Sequence, residues 1–128
     1  MTDDLIVVER PADRVAHVVL NRPERRNALT GPLAVALADV LDLLNHDDSV
    51  SVIVLRGAGG AFCSGLDLKE FNADPQPDWV AGFGALWRSV HRKLFESDRI
   101  IIGALERAAV NGGAALALAC DFLVAGDG

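Results

Sequence analysis

Apolar residues recur along this chain with two periods. Leu33, Leu37, Val40, Leu41 and Leu44 are spaced as one face of a helix. Thr30 stands before that face as an N-cap, and Pro32 falls in the first turn, where its missing N–H has no helical partner to lose. Asn45-His46-Asp47-Asp48 closes the element and leaves His46 at an exposed helix end. Trp79, Val80, Phe83, Leu86, Trp87, Val90 and Leu94 repeat the helical spacing. They predict a second long helix over 78–95 with both tryptophans in the core and His91 off the stripe without a partner. The runs 5–9, 15–20, 50–55, 100–105 and 122–125 are short and apolar and read as strands. The first two are joined as a hairpin by Arg10-Pro11-Ala12-Asp13. His17, inside the second run with no carboxylate near it in sequence, reads as a surface or packing residue. Residues 72–78, with Pro75 and Pro77, read as a loop. The Ala/Leu-rich segment 114–119 predicts a helix capped near Asn111 or Gly112.

The run 50–55 leads into Gly57-Ala58-Gly59-Gly60-Ala61-Phe62-Cys63-Ser64-Gly65-Leu66-Asp67-Leu68-Lys69-Glu70. The glycines permit positive φ and close backbone approach. Asp67 and Glu70 resemble a capping box, so a helix is expected from Leu68. A glycine-rich turn feeding a helix start gathers N–H groups without internal partners, and such groups stabilise negative charge. Strand, turn and helix is also ordinary α/β punctuation. The spacing is neither G-x-G-x-x-G nor a P-loop. A second such turn, Asn111-Gly112-Gly113, follows the strand at 100–105. Two turns of this kind suggest two backbone donors converging on one oxygen, with helix dipoles assisting. Between the first strands and the first helix lies Asn21-Arg22-Pro23-Glu24-Arg25-Arg26-Asn27-Ala28-Leu29. Its arginines suit an anionic ligand or a solvated loop equally well.

The balance of 51% apolar and 23% charged residues over 128 residues is that of one globular domain. A net charge of −6 argues against a nucleic-acid partner. No apolar stretch is long enough to span a bilayer, and the acidic start Met1-Thr2-Asp3-Asp4 is no targeting peptide, so no membrane partner is expected. Two cysteines, Cys63 and Cys120, could form one bridge, but reduced thiols in a cytoplasmic protein are the simpler reading. No metal-ligand spacing is present, and no tightly bound cofactor is expected.

Taken together, Asn21-Arg22-Pro23 to Asn27-Ala28-Leu29, Ala61 to Glu70, and Gly112-Gly113 to Ala119-Cys120-Asp121 resemble, in order and spacing, the N-terminal half of the crotonase family of enoyl-CoA hydratases and isomerases. The resemblance implies an α/β fold, a spiral of ββα units, with 1–128 the N-terminal part of one such domain and the C-terminal half absent. It implies an acyl-CoA thioester ligand, coenzyme A entering as part of the substrate, a place in fatty-acid or acyl-CoA metabolism, and trimers or hexamers at full length. The N–H groups of Leu66 and Gly112 match the family's oxyanion hole. Arg25, Arg26, Ala28, Ala61, Ser64, Gly65, Leu66, Asp67, Leu68 and Lys69 match its CoA-binding surface. Cys63, beside the hole, reads as packing rather than as a nucleophile.

The chain departs from the family in one chemical respect. The first water-activating glutamate of family hydratases falls at Ala115, which can neither give nor take a proton. The second falls after Gly128. Glu106 and Arg107 replace residues that are small or neutral in the family. Simple hydration is therefore not expected. The expectations that follow are an enzyme of the family working through another carboxylate, a non-catalytic acyl-CoA-binding or oligomer-forming member, or an inactive fragment. The surface that a second half would cover is expected to be apolar and to drive self-association.

Overall fold

The computed structural model describes residues 4–106 and 112–125. The expected Asn111 cap and Arg107 lie outside that range. Five strands form one sheet in chain order, β1 Ile6–Ala12, β2 Val15–Leu20, β3 Val52–Gly57, β4 Ile100–Leu105 and β5 Phe122–Ala125. β1 and β2 are antiparallel, and the remaining neighbours are parallel. Each parallel step needs a crossover. α1, Gly31–Asn45, carries the first, while α2, Leu68–Phe71, and α3, Phe83–Phe95, lie in the second. α4, Gly112–Leu118, lies in the third.

The local elements follow from their sequences. Thr30 caps α1 by accepting from the Leu33 N–H at 3.3 Å, with Pro32 in the first turn. Leu33, Leu37, Leu41 and Leu44 are fully buried on one α1 face. That face meets Ala16, Val18, Ile53, Leu55 and Ile101 of the sheet, with Val90 and Leu94 of α3 completing the core. His46 caps the end of α1, exposed as expected, its Nδ1 2.7 Å from the Asp42 carbonyl.

Several expectations are corrected. The hairpin turn does not occupy residues 10–13. β1 runs on to Ala12 through a register shift after Glu9, and the reversal falls at Asp13-Arg14, with Arg14 at φ 64°. β3 begins two residues later than the apolar run, because Val50 is a buried turn residue bonded to the Asp47 carbonyl while Arg56 and Gly57 still pair with β2. The helix expected over 78–95 is a 3₁₀ segment, Asp78–Gly82, followed by α3. Gly82 lacks the side chain and the propensity to carry the α-helix through. The tryptophans do not occupy the core. Trp79 lies over Gly31, where an added Cβ would sit 2.6 Å from its Cγ, and Trp87 packs at the core's edge. His91 is not isolated, since its ring meets Trp87 edge-on at 5.0 Å within a run of aromatic rings spaced four residues apart from Trp79 to Phe95.

The sheet carries apolar residues on both faces, with Glu9, His17 and Arg56 as a polar group on the side turned away from the helices. Residues in register across parallel strands share a face. Val15, Val52 and Ile100 form one row of the face turned away from the helices, and Val54, Ile102 and Phe122 form another. Parallel sheets are ordinarily covered on both sides. Here Ile100, Phe122 and Val124 are 47%, 63% and 60% exposed. Exposed apolar side chains grouped in this way favour association. Self-association that grows with concentration is the expected result of sedimentation velocity, and Phe122→Lys combined with Val124→Lys should reduce it. A monomer at every concentration would show that this surface is inert.

Candidate functional site

The carboxyl end of β3 opens into a glycine-bearing turn, and α4, which follows β4 in the chain, begins with Gly112 and Gly113. The carboxyl ends of parallel strands are where α/β sheets present ligand sites. After β3 the chain makes a 3₁₀ turn, Ala58–Gly60, with Gly59 and Gly60 at φ 74° and 82°. The turn is held close to the strand end. A Cβ on Gly57 would lie 2.5 Å from the Phe62 carbonyl oxygen, so no larger residue fits. Phe62 is fully buried, and its N–H donates to the Glu106 carbonyl at 3.0 Å, which ties this loop to the end of β4.

The basic loop before α1 docks against the same segment. Leu29 and Leu66 form an isolated parallel bridge. The Leu29 N–H donates to the Gly65 carbonyl at 2.7 Å, and the Asp67 N–H donates to the Leu29 carbonyl at 2.9 Å. In such a bridge the N–H of the middle residue, Leu66, points away from Leu29. No described residue accepts a hydrogen bond from it. Gly112, at the first position of α4, faces this bridge. A Cβ there would lie 4.0 Å from the Leu66 nitrogen and 2.8 Å from Leu29 Cδ1. A Cβ on Gly113 would collide with the Cys63 carbonyl, so α4 begins in backbone contact with the loop. The two residues singled out as donors are thus neighbours. Ala115 stands one helical turn after Gly112, half-buried.

The residues matched to a CoA surface are drawn into the same region. The Ser64 N–H donates to the Arg26 carbonyl at 3.1 Å, and its hydroxyl to the Arg25 carbonyl at 3.3 Å. Ala28, Ala61, Gly65 and Asp67 are buried, while Arg26, Leu68 and Lys69 are exposed. Arg22, Arg25, Lys69, Glu70 and Ala73 line a concavity of about 260 Å³. The arginines are not all free for an anion. Arg25 Nη2 is 3.0 Å from Asp67 Oδ1, and Arg22 reaches Asp67 at 2.9 Å and Glu70 at 3.3 Å.

Asp67 does more than begin a helix. Its Oδ1 accepts the Glu70 N–H at 3.0 Å as the cap of α2, while both arginines converge on the same carboxylate. Burial pushes its pKa up. The Glu70 N–H and the Arg22 and Arg25 guanidinium groups outweigh that and hold it below the usual aspartate value. A lowered folded pKa contributes stability that is present above the unfolded value, about 3.9, and is lost as pH falls through the folded one. In urea titrations repeated from pH 7 downward, Asp67→Asn should be less stable at neutral pH and lose less stability below about pH 4. An unchanged pH slope would remove Asp67 from the acid response.

Burial raises the Cys63 thiol to about 11, with a smaller opposing effect from the Gly65 N–H, so at neutral pH it is a protonated packing group. Cys63 and Cys120 are both free. His17 has a carboxylate neighbour after all, Glu9 Oε1 at 3.9 Å across the β1–β2 pair, although the same oxygen bonds Arg56 at 2.7 Å. None of this places a histidine at the loop. Among the described residues no cluster of His, Cys, Asp and Glu could hold a metal ion, and no helix is long and apolar enough to cross a membrane.

Sequence reasoning passed over Asn27. It is fully buried at φ 58°. Its Oδ1 accepts the Arg22 N–H at 2.8 Å, and its Nδ2 donates to the Ala58 and Ala61 carbonyls at 3.0 and 2.9 Å. A positive φ next to Arg26, also positive at 51°, is the local signal, because asparagine enters that region more readily than most residues.

Residues 10–128 match the enoyl-CoA hydratase/isomerase family. The chain is 36% identical to a probable enoyl-CoA hydratase of Mycobacterium bovis over 130 aligned residues, covering 97% of this chain and 46% of that protein. It is 34% identical over 114 residues to the 1,2-epoxyphenylacetyl-CoA isomerase of Escherichia coli, covering 87% of this chain and 44% of the isomerase. The crystal structure of an enoyl-CoA hydratase from Bacillus anthracis superimposes with a TM-score of 0.86 at 31% identity, covering 94% of this chain and 47% of that one. The chain therefore spans about half the length of the curated relatives it matches.

Proposed function

Since this chain belongs to the enoyl-CoA hydratase/isomerase family and shares the crotonase fold, we propose that it carries the thioester-binding, enolate-stabilising half of such a site. The observation that carries the reading is the approach of Gly112 to the Leu66 nitrogen across the Leu29–Leu66 bridge. The Leu66 and Gly112 N–H groups hold the thioester carbonyl oxygen. As a proton leaves or reaches the adjacent carbons, negative charge grows on that oxygen, and donors already in place stabilise it without reorganising. The α4 N-terminus adds favourable dipole charge. Arg26 and Lys69, both exposed, meet the CoA phosphates, while Arg22 and Arg25, tied to Asp67, shape the loop.

Ala115 favours a second reading within the same site. A group at that position would have to exchange a proton with substrate or water, and a methyl cannot. The described chain therefore binds and polarises a 2-enoyl-CoA without hydrating it, and chemistry requires a carboxylate from elsewhere, as in a trimer or hexamer of full-length protein. Calorimetric titration with a short 2-enoyl-CoA, paired with the loss of its ultraviolet absorbance over time, tests this. Saturable binding without loss of absorbance is expected. No binding of the thioester would refute the assignment, and rapid hydration would refute the role given to Ala115.

A further inference from the structure

We propose that Asn27 is a positioning residue that sets the direction of the Leu66 N–H, an inference that rests on the reading of Leu66 as an oxyanion donor. Both donors of the Asn27 side-chain amide are used, on the Ala58 and Ala61 carbonyls, and its oxygen accepts the Arg22 N–H. Those partners lie at the entrance of the basic loop, in the 3₁₀ turn and at the start of the segment that ends in Leu66. Among the described residues, the two donor bonds are the only hydrogen bonds joining 58–61 to the basic loop.

Two residues further on, Leu29 grips Gly65 and Asp67 by backbone bonds on either side of Leu66. The short stretch 27–29 therefore holds both ends of the glycine-rich segment, 58–61 through a side chain and 65–67 through the backbone. Between these two grips the Arg26 carbonyl takes the Ser64 N–H at 3.1 Å. With its ends fixed, the segment has little freedom to rotate the Leu66 peptide. Such a flip would turn the donor away from the Gly112 side and present a carbonyl in its place. Asn27 touches no atom of the donor pair, and its effect passes through the turn it pins. The Asn27 amide packs closely on the end of β3, where a Cβ on Gly57 would lie 2.6 Å from its Nδ2.

Two measurements on the intact chain test this. In amide hydrogen exchange of Asn27→Ala, residues 58–66 should exchange about tenfold faster relative to α1 amides of the same sample, since buried partners lose their bonds. Unchanged relative protection would overturn the proposal. If Asn27→Ala does not fold, Asn27→Asp keeps the acceptor from Arg22 but sets an oxygen against the two carbonyls, and it should give the same local result. The second measurement is the carbonyl carbon-13 shift of a labelled 2-enoyl-CoA at saturating concentration. A purely structural role would weaken binding yet leave that shift in the bound state intact, whereas a positioning role diminishes it. If the unsubstituted chain shows no carbonyl polarisation, the functional reading fails. If it does and the Asn27 variants match it, the positioning role alone fails.

Discussion

Phe62→Ala is expected to cost about 3–5 kcal/mol, a large share of the stability of a domain of this size. Phe62 is among the largest fully buried side chains, and it sits on the glycine-rich loop rather than in a strand or helix. Truncation leaves a cavity that the surroundings cannot close, because the Phe62 N–H is tied to Glu106 and the preceding turn is wedged against Gly57. The urea midpoint should fall with little change in slope. A loss below about 1 kcal/mol would mean that the loop relaxes into the space and is not a rigid platform.

Gly112→Pro is the second large effect. Proline has no N–H, so the substitution deletes one of the two proposed donors while its fixed φ suits the first position of a helix. Removing a single oxyanion donor costs about 10²–10³-fold in rate in an enzyme that uses one. In a full-length protein built on this half, Gly112→Pro should lower turnover by that factor with a smaller change in KM, because the donor acts most strongly once charge has formed. The added ring also meets Leu29 Cδ1, the flexible end of a side chain that can give way. Unchanged turnover would remove Gly112 from the donor pair.

The parts of this molecule visible in the sequence are those governed by neighbours along the chain. Thr30, Pro32 and the spacing from Leu33 to Leu44 define α1, whose bounds Gly31–Asn45 follow directly. Asp67 caps α2 as its spacing to Glu70 predicts. The strands at Val15–Leu20, Ile100–Leu105 and Phe122–Ala125 coincide with their apolar runs. What remained hidden depends on partners far away in sequence. Arg22 and Arg25 read as free cations until Asp67, more than forty positions later, is brought to them. Asn27 reads as an ordinary polar loop residue because the carbonyls it serves belong to the turn after β3. His91 was misread for a different reason. Its spacing from Trp87 and Phe95 is visible in the sequence, but only the break at Gly82 and the packing of Val90 and Leu94 set that row of mostly half-buried rings along the edge of the core.

The resemblance carried the site further than periodicity could. Nothing in hydrophobic spacing places Gly112 beside Leu66, because the contact spans two crossovers. Three motifs in order point to that pair; the structure sets Gly112 near the Leu66 nitrogen, and the donor role of the two N–H groups is the reading proposed above.

The donor pair is tested most directly by the infrared difference spectrum of this chain with a 2-enoyl-CoA labelled with carbon-13 at the thioester carbonyl. With Leu66 and Gly112 both donating, the carbonyl band of the bound ligand should fall below that of the free thioester. A band at the free-ligand frequency, at saturating ligand, would contradict the pair.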